Sequence, residues 1–362
     1  MRHPAFALLL GALLCSAATS ARAQDGFVPS SGMLEATGAP MLEPGFDQAA
    51  PEDWTQTITA DPNVAGIHSL KPAPYTYFQA DVVFLKRSAP DSAVYAVDDS
   101  LGLSTPVLNT GDMSFGNFQP GVAFTLGRQI DGVSSIEVGY LGLQNFTASA
   151  QAVGNNNLSV PGLLALSTSD YFLADIVNAS YETQFNSAEI TYKQTMYGLT
   201  FLGGFRYLNL NDSLQIGFDD FDSGKSDYVI TTNNNLYGAQ IGTGWHGDWD
   251  RLQFDFLGKA GVYGNQAYQT NYLRDVSNTV ELRNRKDNQT TAAFVGELQA
   301  MLAYQITDWL LIRGGYRIIW VGGVVQAPGQ LDFGDSALAG STISRHTDMY
   351  MHGFNGGLEI RW

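Results

Sequence analysis

Cysteine is almost absent: Cys15 is the only one in 362 residues. Past that position the chain has no means of building a disulfide framework, a thiolate metal site or a cysteine nucleophile. Charged residues make up only 15%, and basic ones are outnumbered 19 to 35. The resulting net charge of −16 argues against a general nucleic-acid binder. Long apolar runs are also missing. The one at the N-terminus, Ala5 to Ala18, is shorter than the roughly 18–20 residues a membrane helix needs. No later stretch is longer, so helices do not carry this chain across a bilayer. What remains is a soluble exported β-protein or a membrane β-barrel.

What is present begins with MRHPAFALLLGALLCSAATSARAQ. Arg2 is a charged leader, Ala5 to Ala18 an apolar core, and Ala21-Arg22-Ala23 a small-x-small cleavage site. Residues 1–23 are therefore expected to be a secretory signal. Cys15 follows Leu14, where a lipoprotein site wants a small residue, so lipidation is not expected. Residues 24–72 are rich in Pro, Gly, Ala and acids without a period, and are expected to form a flexible periplasmic segment.

From residue 73 to 362 the pattern has a two-residue period, the signature of strands whose faces meet different surroundings. Phe78, Ala80, Val82 and Phe84 oppose Tyr77, Gln79 and Asp81. In the last strand Phe354, Leu358, Ile360 and Trp362 oppose Asn355, Gly357, Glu359 and Arg361. Eight further segments alternate in the same way, which predicts ten strands, or twelve if residues 149–180 add a hairpin. The intervals between them alternate between long and short. Short links fall at 129–132, 194–195, 246–250 and 305–308; long gaps fall at 211–228, 266–289 and 323–346. Long outer loops and short periplasmic turns are the asymmetry of an antiparallel up-and-down transmembrane barrel. Trp245, Trp249, Trp309 and Trp362 all lie beside short links or at the end, as a periplasmic aromatic girdle would. The last strand, closing on Trp362, resembles the signal read by barrel assembly machinery. Outer-membrane lipid and that machinery are the expected partners, with no nucleic acid and no cofactor. The expected location is the bacterial outer membrane.

Several segments together resemble one bacterial outer-membrane family, the β-barrel porin family seven. They are NSAEITYK, FLGGFRYLNLND, NNLYGAQIG, KAGVYGN, GYRIIWVGGVV and HGFNGGLEIRW, and their order is what carries the resemblance. It implies an outer-membrane barrel with a porin-like role.

The face opposite the lipid is predicted to carry the chemistry. Its acids are Asp81, Glu137, Glu189, Asp255, Glu297 and Glu359; its bases are Lys193, Arg206, Arg251, Lys259, Arg313, Arg317 and Arg361. Two readings compete. These groups could pair into a network that plugs the lumen, because buried charges must be paired. They could also wall a narrow pore, and inward glycines such as Gly121, Gly139, Gly198, Gly204, Gly261 and Gly315 would leave it room. The family resemblance tips the reading toward a narrow, weakly selective channel. On facing alone, Glu359→Gln is expected to cost far less stability than Leu358→Arg.

Enzyme chemistry finds little support. GTGWHG at 242–247 spells a dinucleotide motif but leads into a strand, where phosphate binding needs a helix. Asp219, Asp220 and Asp222 read as a solvated acidic loop, since the twelfth position of a calcium loop would fall on Thr231. A barrel hydrolase would need a histidine beside a carboxylate; only His346, two residues before Asp348, comes near. His246 is expected in a periplasmic turn and His352 on the lipid face.

Overall fold

A computed structural model describes residues 74–362, apart from 101, 103, 165–170, 276–280, 335 and 337. The expected signal sequence and flexible segment lie outside these residues. Everything described belongs to one compact unit, His68–Trp362.

Among the described residues, twelve antiparallel strands form one sheet. They are β1 (Thr76–Arg87), β2 (Val94–Asp98), β3 (Thr105–Asn109), β4 (Gln119–Gln129), β5 (Ser134–Ser159) and β6 (Ala174–Met196), then β7 (Leu199–Asp220), β8 (Gly224–Trp249), β9 (Leu252–Arg274), β10 (Glu281–Thr307), β11 (Leu310–Val324) and β12 (Thr347–Arg361). Ten of them close a ring in the order β1-β4-β5-β6-β7-β8-β9-β10-β11-β12. The ring shuts where Phe84 faces Phe354 and Ala80 faces Leu358 between the first and last strands. The other two, β2 and β3, make a hairpin that joins the wall only at the far end of β5, through Val97 and Asp98. The extra strands thus come from the connection after β1 and not from residues 149–180, which instead lengthen β5 and β6.

One end of the ring has tight connections. Tyr197-Gly198 joins β6 to β7 with both residues at positive φ (54° and 79°), the turn whose twist matches a hairpin. Asp250-Arg251 and Asp308-Trp309 are equally short. At the other end, two of the expected long gaps are not loops. β7 and β8 run on to Asp220 and Gly224, and β9 and β10 to Arg274 and Glu281.

The reason is a change of phase. On β7 the apolar residues Leu199, Phe201 and Phe205 are outward; beyond Tyr207 the apolar set becomes Leu208, Leu210, Leu214, Ile216 and Phe218, all inward and at most 1% exposed. β8 switches at the same level, between outward Tyr237 and inward Leu236. Below the switch, outward side chains are chosen by lipid; above it, they are polar and only the inside is dry. Strands β5–β10, at 22 to 27 residues, therefore continue well past the 9–11 a bilayer requires. They make a wall taller than the one formed by β1, β4, β11 and β12.

Candidate functional site

The interior is where the wall strands bring most of their charged residues together, and it is layered. The order can be followed along single strands. On β1 the inward positions run Tyr77, Gln79, Asp81, then Val83 and Leu85, then Arg87. On β7 they run Arg206, then Leu208 and Leu210, then Asp212, then Leu214, Ile216 and Phe218. Charge and hydrocarbon alternate in register around the ring.

The first layer is an ion network. Glu297 on β10 receives three cations: Arg206 from β7 at 2.7 Å, with Lys259 from β9 and Arg317 from β11 each at 3.5 Å. Lys259 also holds Glu189 of β6 at 2.8 Å, and Gln240 of β8 donates to the same carboxylate at 2.8 Å. On the other side, Arg313 lies 3.3 Å from Asp81 and 3.4 Å from Glu359, which is also bound by Arg361 and by Gln79 at 2.8 Å. Lys193 meets Glu137 at 2.6 Å, and Tyr77 donates to Glu137 from across β4. The Arg206–Glu297 and Lys259–Glu189 pairs each join strands three apart in a ring of ten, so they cross the lumen instead of running along its wall. Ten strands about 4.8 Å apart and tilted about 40° enclose a ring roughly 20 Å across between backbones. An arginine and a glutamate meeting head to head cover most of that. A cavity of about 30 Å³ beside Glu189, Arg206, Glu297 and Arg317 has room for a water molecule or two.

The next layer is dry. Val83, Leu85, Phe185, Leu236, Ile319 and Met351 are all 0% exposed and pack as one cluster. Above it sits a second buried pair, absent from the inward charges that alternation predicts. Arg87 and Asp212 have side chains 1% and 0% exposed and lie 3.7 Å apart. Tyr181 accepts from Arg87 at 3.0 Å and donates to Asp212 at 2.6 Å. The inward register of β1 and β7, carried one turn further, reaches both residues. At this level the connection after β11 enters the barrel: Asn234 accepts from the Val325 N–H and donates to its carbonyl, each at 2.8 Å. A second apolar cluster with Tyr95, Tyr171, Phe218 and Tyr228 fills the space beneath the β2–β3 hairpin.

Several sequence expectations need correction. Arg251 is not on the inner wall; it is an exposed residue of the β8–β9 turn. Asp255 is inward but lies apart from the arginines. Its partner is His246, which sits in β8 and not in a turn, with Nδ1 2.7 Å from Asp255 and Nε2 3.1 Å from Asp248. Most of the inward glycines do not leave room, and at Gly139 the Glu189 side chain would lie 3.2 Å from a Cβ. The space a Cβ would occupy at Gly121, Gly204, Gly261 and Gly315 is taken by Leu143, Thr191, Tyr263 and Met301, and Gly198 is in a turn. Trp245, Trp249, Trp309 and Trp362 stand at the tight-turn end, between 48% and 74% exposed. His346 is exposed ahead of β12, while Asp348 accepts from the Gly323 N–H. Asp220 caps its own turn through Ser223 and the Asp222 N–H. Among the described residues no group of three or more His, Cys, Asp or Glu could hold a metal ion.

The family model described as Putative beta barrel porin-7 matches residues 96–362. Among solved structures, the chain is similar to the outer membrane protease OmpT from Escherichia coli (9% identity, TM-score 0.35, covering 81% of this chain and 98% of that one). It is also similar to a TodX deltaS2S3 mutant monoaromatic hydrocarbon channel (8%, 0.32, 80% and 90%) and to the Ralstonia pickettii toluene transporter TbuX (10%, 0.28, 80% and 89%). These values are too low to carry a site from one protein to another. No curated protein matches the sequence.

Proposed function

The chain belongs to the Putative beta barrel porin-7 family, a family of outer-membrane barrels, and on that premise we propose that this member is a plugged barrel that does not conduct in its resting form. The observation that carries the reading is the pair of ion bridges thrown across the lumen, Arg206–Glu297 and Lys259–Glu189, capped by a dry apolar layer. A water-filled pore would leave such groups solvated. Here Arg206 and Glu297 have side chains 3% and 2% exposed. An ion entering this layer would have to strip these pairs and then pass hydrocarbon, and both barriers cost far more than hydration returns. The protein then acts through its surfaces, as a structural or interacting component of the outer membrane.

A narrow channel is the second reading. It is favoured by the loose fit of two members of the network: the buried Nε atoms of Arg313 and Arg317 face Asp81 at 3.3 Å and Glu297 at 3.5 Å without an aligned hydrogen bond, a contact a passing anion could replace. Planar-bilayer recording separates the two. The purified barrel should be electrically silent. Discrete conductance steps in the wild type, moved toward cation selectivity by neutralising Arg313 and Arg317, would establish the channel and remove the plug.

A further inference from the structure

Where the wall rises out of the lipid belt, its outward face becomes unusual. Tyr207 and Tyr237, packed with ring centroids 4.9 Å apart, mark the level. Above them the outward positions of β6–β9 run from Asn178 to Gln184, Asn209 to Gln215, Thr231 to Asn235 and Gln266 to Tyr272. Among these outward positions Glu182 is the only charged residue; toward the rim the same strands add Asp219, Lys225, Asp227 and Arg274, of which Asp227 accepts from Gln215 and Arg274 donates to Tyr272. A face kept wet merely for solubility carries charges at roughly a quarter to a third of its positions. This chain has acids in excess and places them elsewhere, as at Asp219, Asp220 and Asp222 beside the β7–β8 turn. Amides, hydroxyls and tyrosine with little charge are the composition of surfaces built for adaptable polar recognition.

The face also has shape and order. Two grooves of about 410 and 430 Å³ lie on it and adjoin at Glu182 and Ser213. Tyr268, 48% exposed, lines the first and offers an apolar ring. Four asparagines are already tied to one another: Asn211 donates to Asn209 at 2.9 Å, Asn209 to Asn235 at 3.1 Å, and Asn233 to Asn211. Their orientation is set before any ligand arrives, which lowers the ordering cost of binding.

We propose that this face binds saccharide, and that its occupant is the sugar headgroup of glycolipid in the leaflet beside the barrel. Amide and hydroxyl groups match sugar hydroxyls, a tyrosine ring matches the C–H face of a pyranose, and a lone carboxylate accepts from a vicinal diol. Phosphate would call for Arg or Lys, which neither groove has in its lining, and would be repelled by Glu182. The grooves look sideways, directly over the lipid belt. A sugar carried on a neighbouring lipid reaches them without leaving the membrane.

The test uses the full chain in phospholipid nanodiscs containing either lipopolysaccharide with its core sugars or the same lipid A without them. Glycolipid retained after extraction is measured by native mass spectrometry. The core-bearing form should be retained about tenfold better, and Tyr268→Ala with Glu182→Gln should remove that preference. Heat-modifiable gel mobility reports folding; if that pair fails to fold, Thr231→Ala with Gln184→Ala replaces it. Equal retention of the two lipids, or unchanged retention in the variants, would overturn the proposal. So would free core oligosaccharide binding as tightly in detergent as the glycolipid does in the bilayer, or a dimer whose interface covers Tyr268. The lumen plays no part in this test, so a conducting wild type would remove the plug and leave this surface standing.

Discussion

Glu297 is the residue on which most converges, since Arg206, Lys259 and Arg317 all reach it inside the barrel. Glu297→Gln should destabilise the folded barrel by about 3–5 kcal/mol, the cost of leaving buried charge uncompensated. Denaturant titration of protein folded in vesicles would measure it, and a loss under 1 kcal/mol would mean the layer is wet. Glu359 is subject to the same argument. Its side chain is 9% exposed and it holds Arg313 and Arg361, so Glu359→Gln should not be the mild change its facing alone suggests. Outside the membrane, Asp131 accepts from the Val133 N–H at 2.9 Å and the Ser134 N–H at 2.5 Å, and these bonds lower its pKa. A carboxyl lowered on folding adds stability above its unfolded pKa of about 3.9 and loses it as pH falls through the folded value. The stability difference between wild type and Asp131→Ala should therefore be present at neutral pH and shrink as the medium is acidified below that. Urea midpoints taken across the range would show a constant gap if the turn bonds did not matter.

At the scale of elements, the instructive feature is the phase change within single strands. Ile241 lies on β8 midway between outward Tyr237 and Trp245 and is 71% exposed. Thr231 lies on the same face of the same strand, above the switch. Ile241→Arg should cost about 2–4 kcal/mol because its charge enters the bilayer near the midplane, whereas Thr231→Arg should cost about 0–1 kcal/mol. Equal losses in a folding titration would place the lipid boundary elsewhere. The same switch explains why two expected loops are strands. Past Tyr207 the outward residues turn polar, as loops do, yet the inward set Leu208 to Phe218 keeps its two-residue period.

At the scale of the molecule, the ring depends on one seam between the ends of the chain. Ala80 and Leu358 face each other there, outward and in register. Facing Cα atoms in an antiparallel pair lie about 4.5–5.5 Å apart, within disulfide range. Because Cys15 is the only native cysteine, Ala80→Cys with Leu358→Cys should form a single defined bond. Boiled without reductant, that variant should keep the mobility of a closed barrel and lose it when reduced. Free thiols in the folded protein would contradict the closure.

Much of this protein is determined locally. Alternation in segments such as Phe78 to Phe84 and Phe354 to Trp362 is enough to specify strands with one lipid face, because a two-residue period follows from backbone geometry. Alternating connection lengths and the tryptophans at one end are enough to orient them. Which charges face inward is also legible for every strand whose register holds, as it does at Asp81, Glu189, Arg206, Lys259, Glu297 and Arg317. What those charges do is decided only by closure. Arg206 and Glu297 are 91 residues apart in sequence and meet because three strands of ring curvature bring them face to face. The entry of Val325 to meet Asn234, 91 residues away in sequence, likewise depends on strands the local pattern cannot pair. A two-residue period reports which side of a strand is inside. Whether the inside is occupied depends on the ring's diameter and on every other strand in it, so the difference between a pore and a plug is a property of the tertiary structure alone.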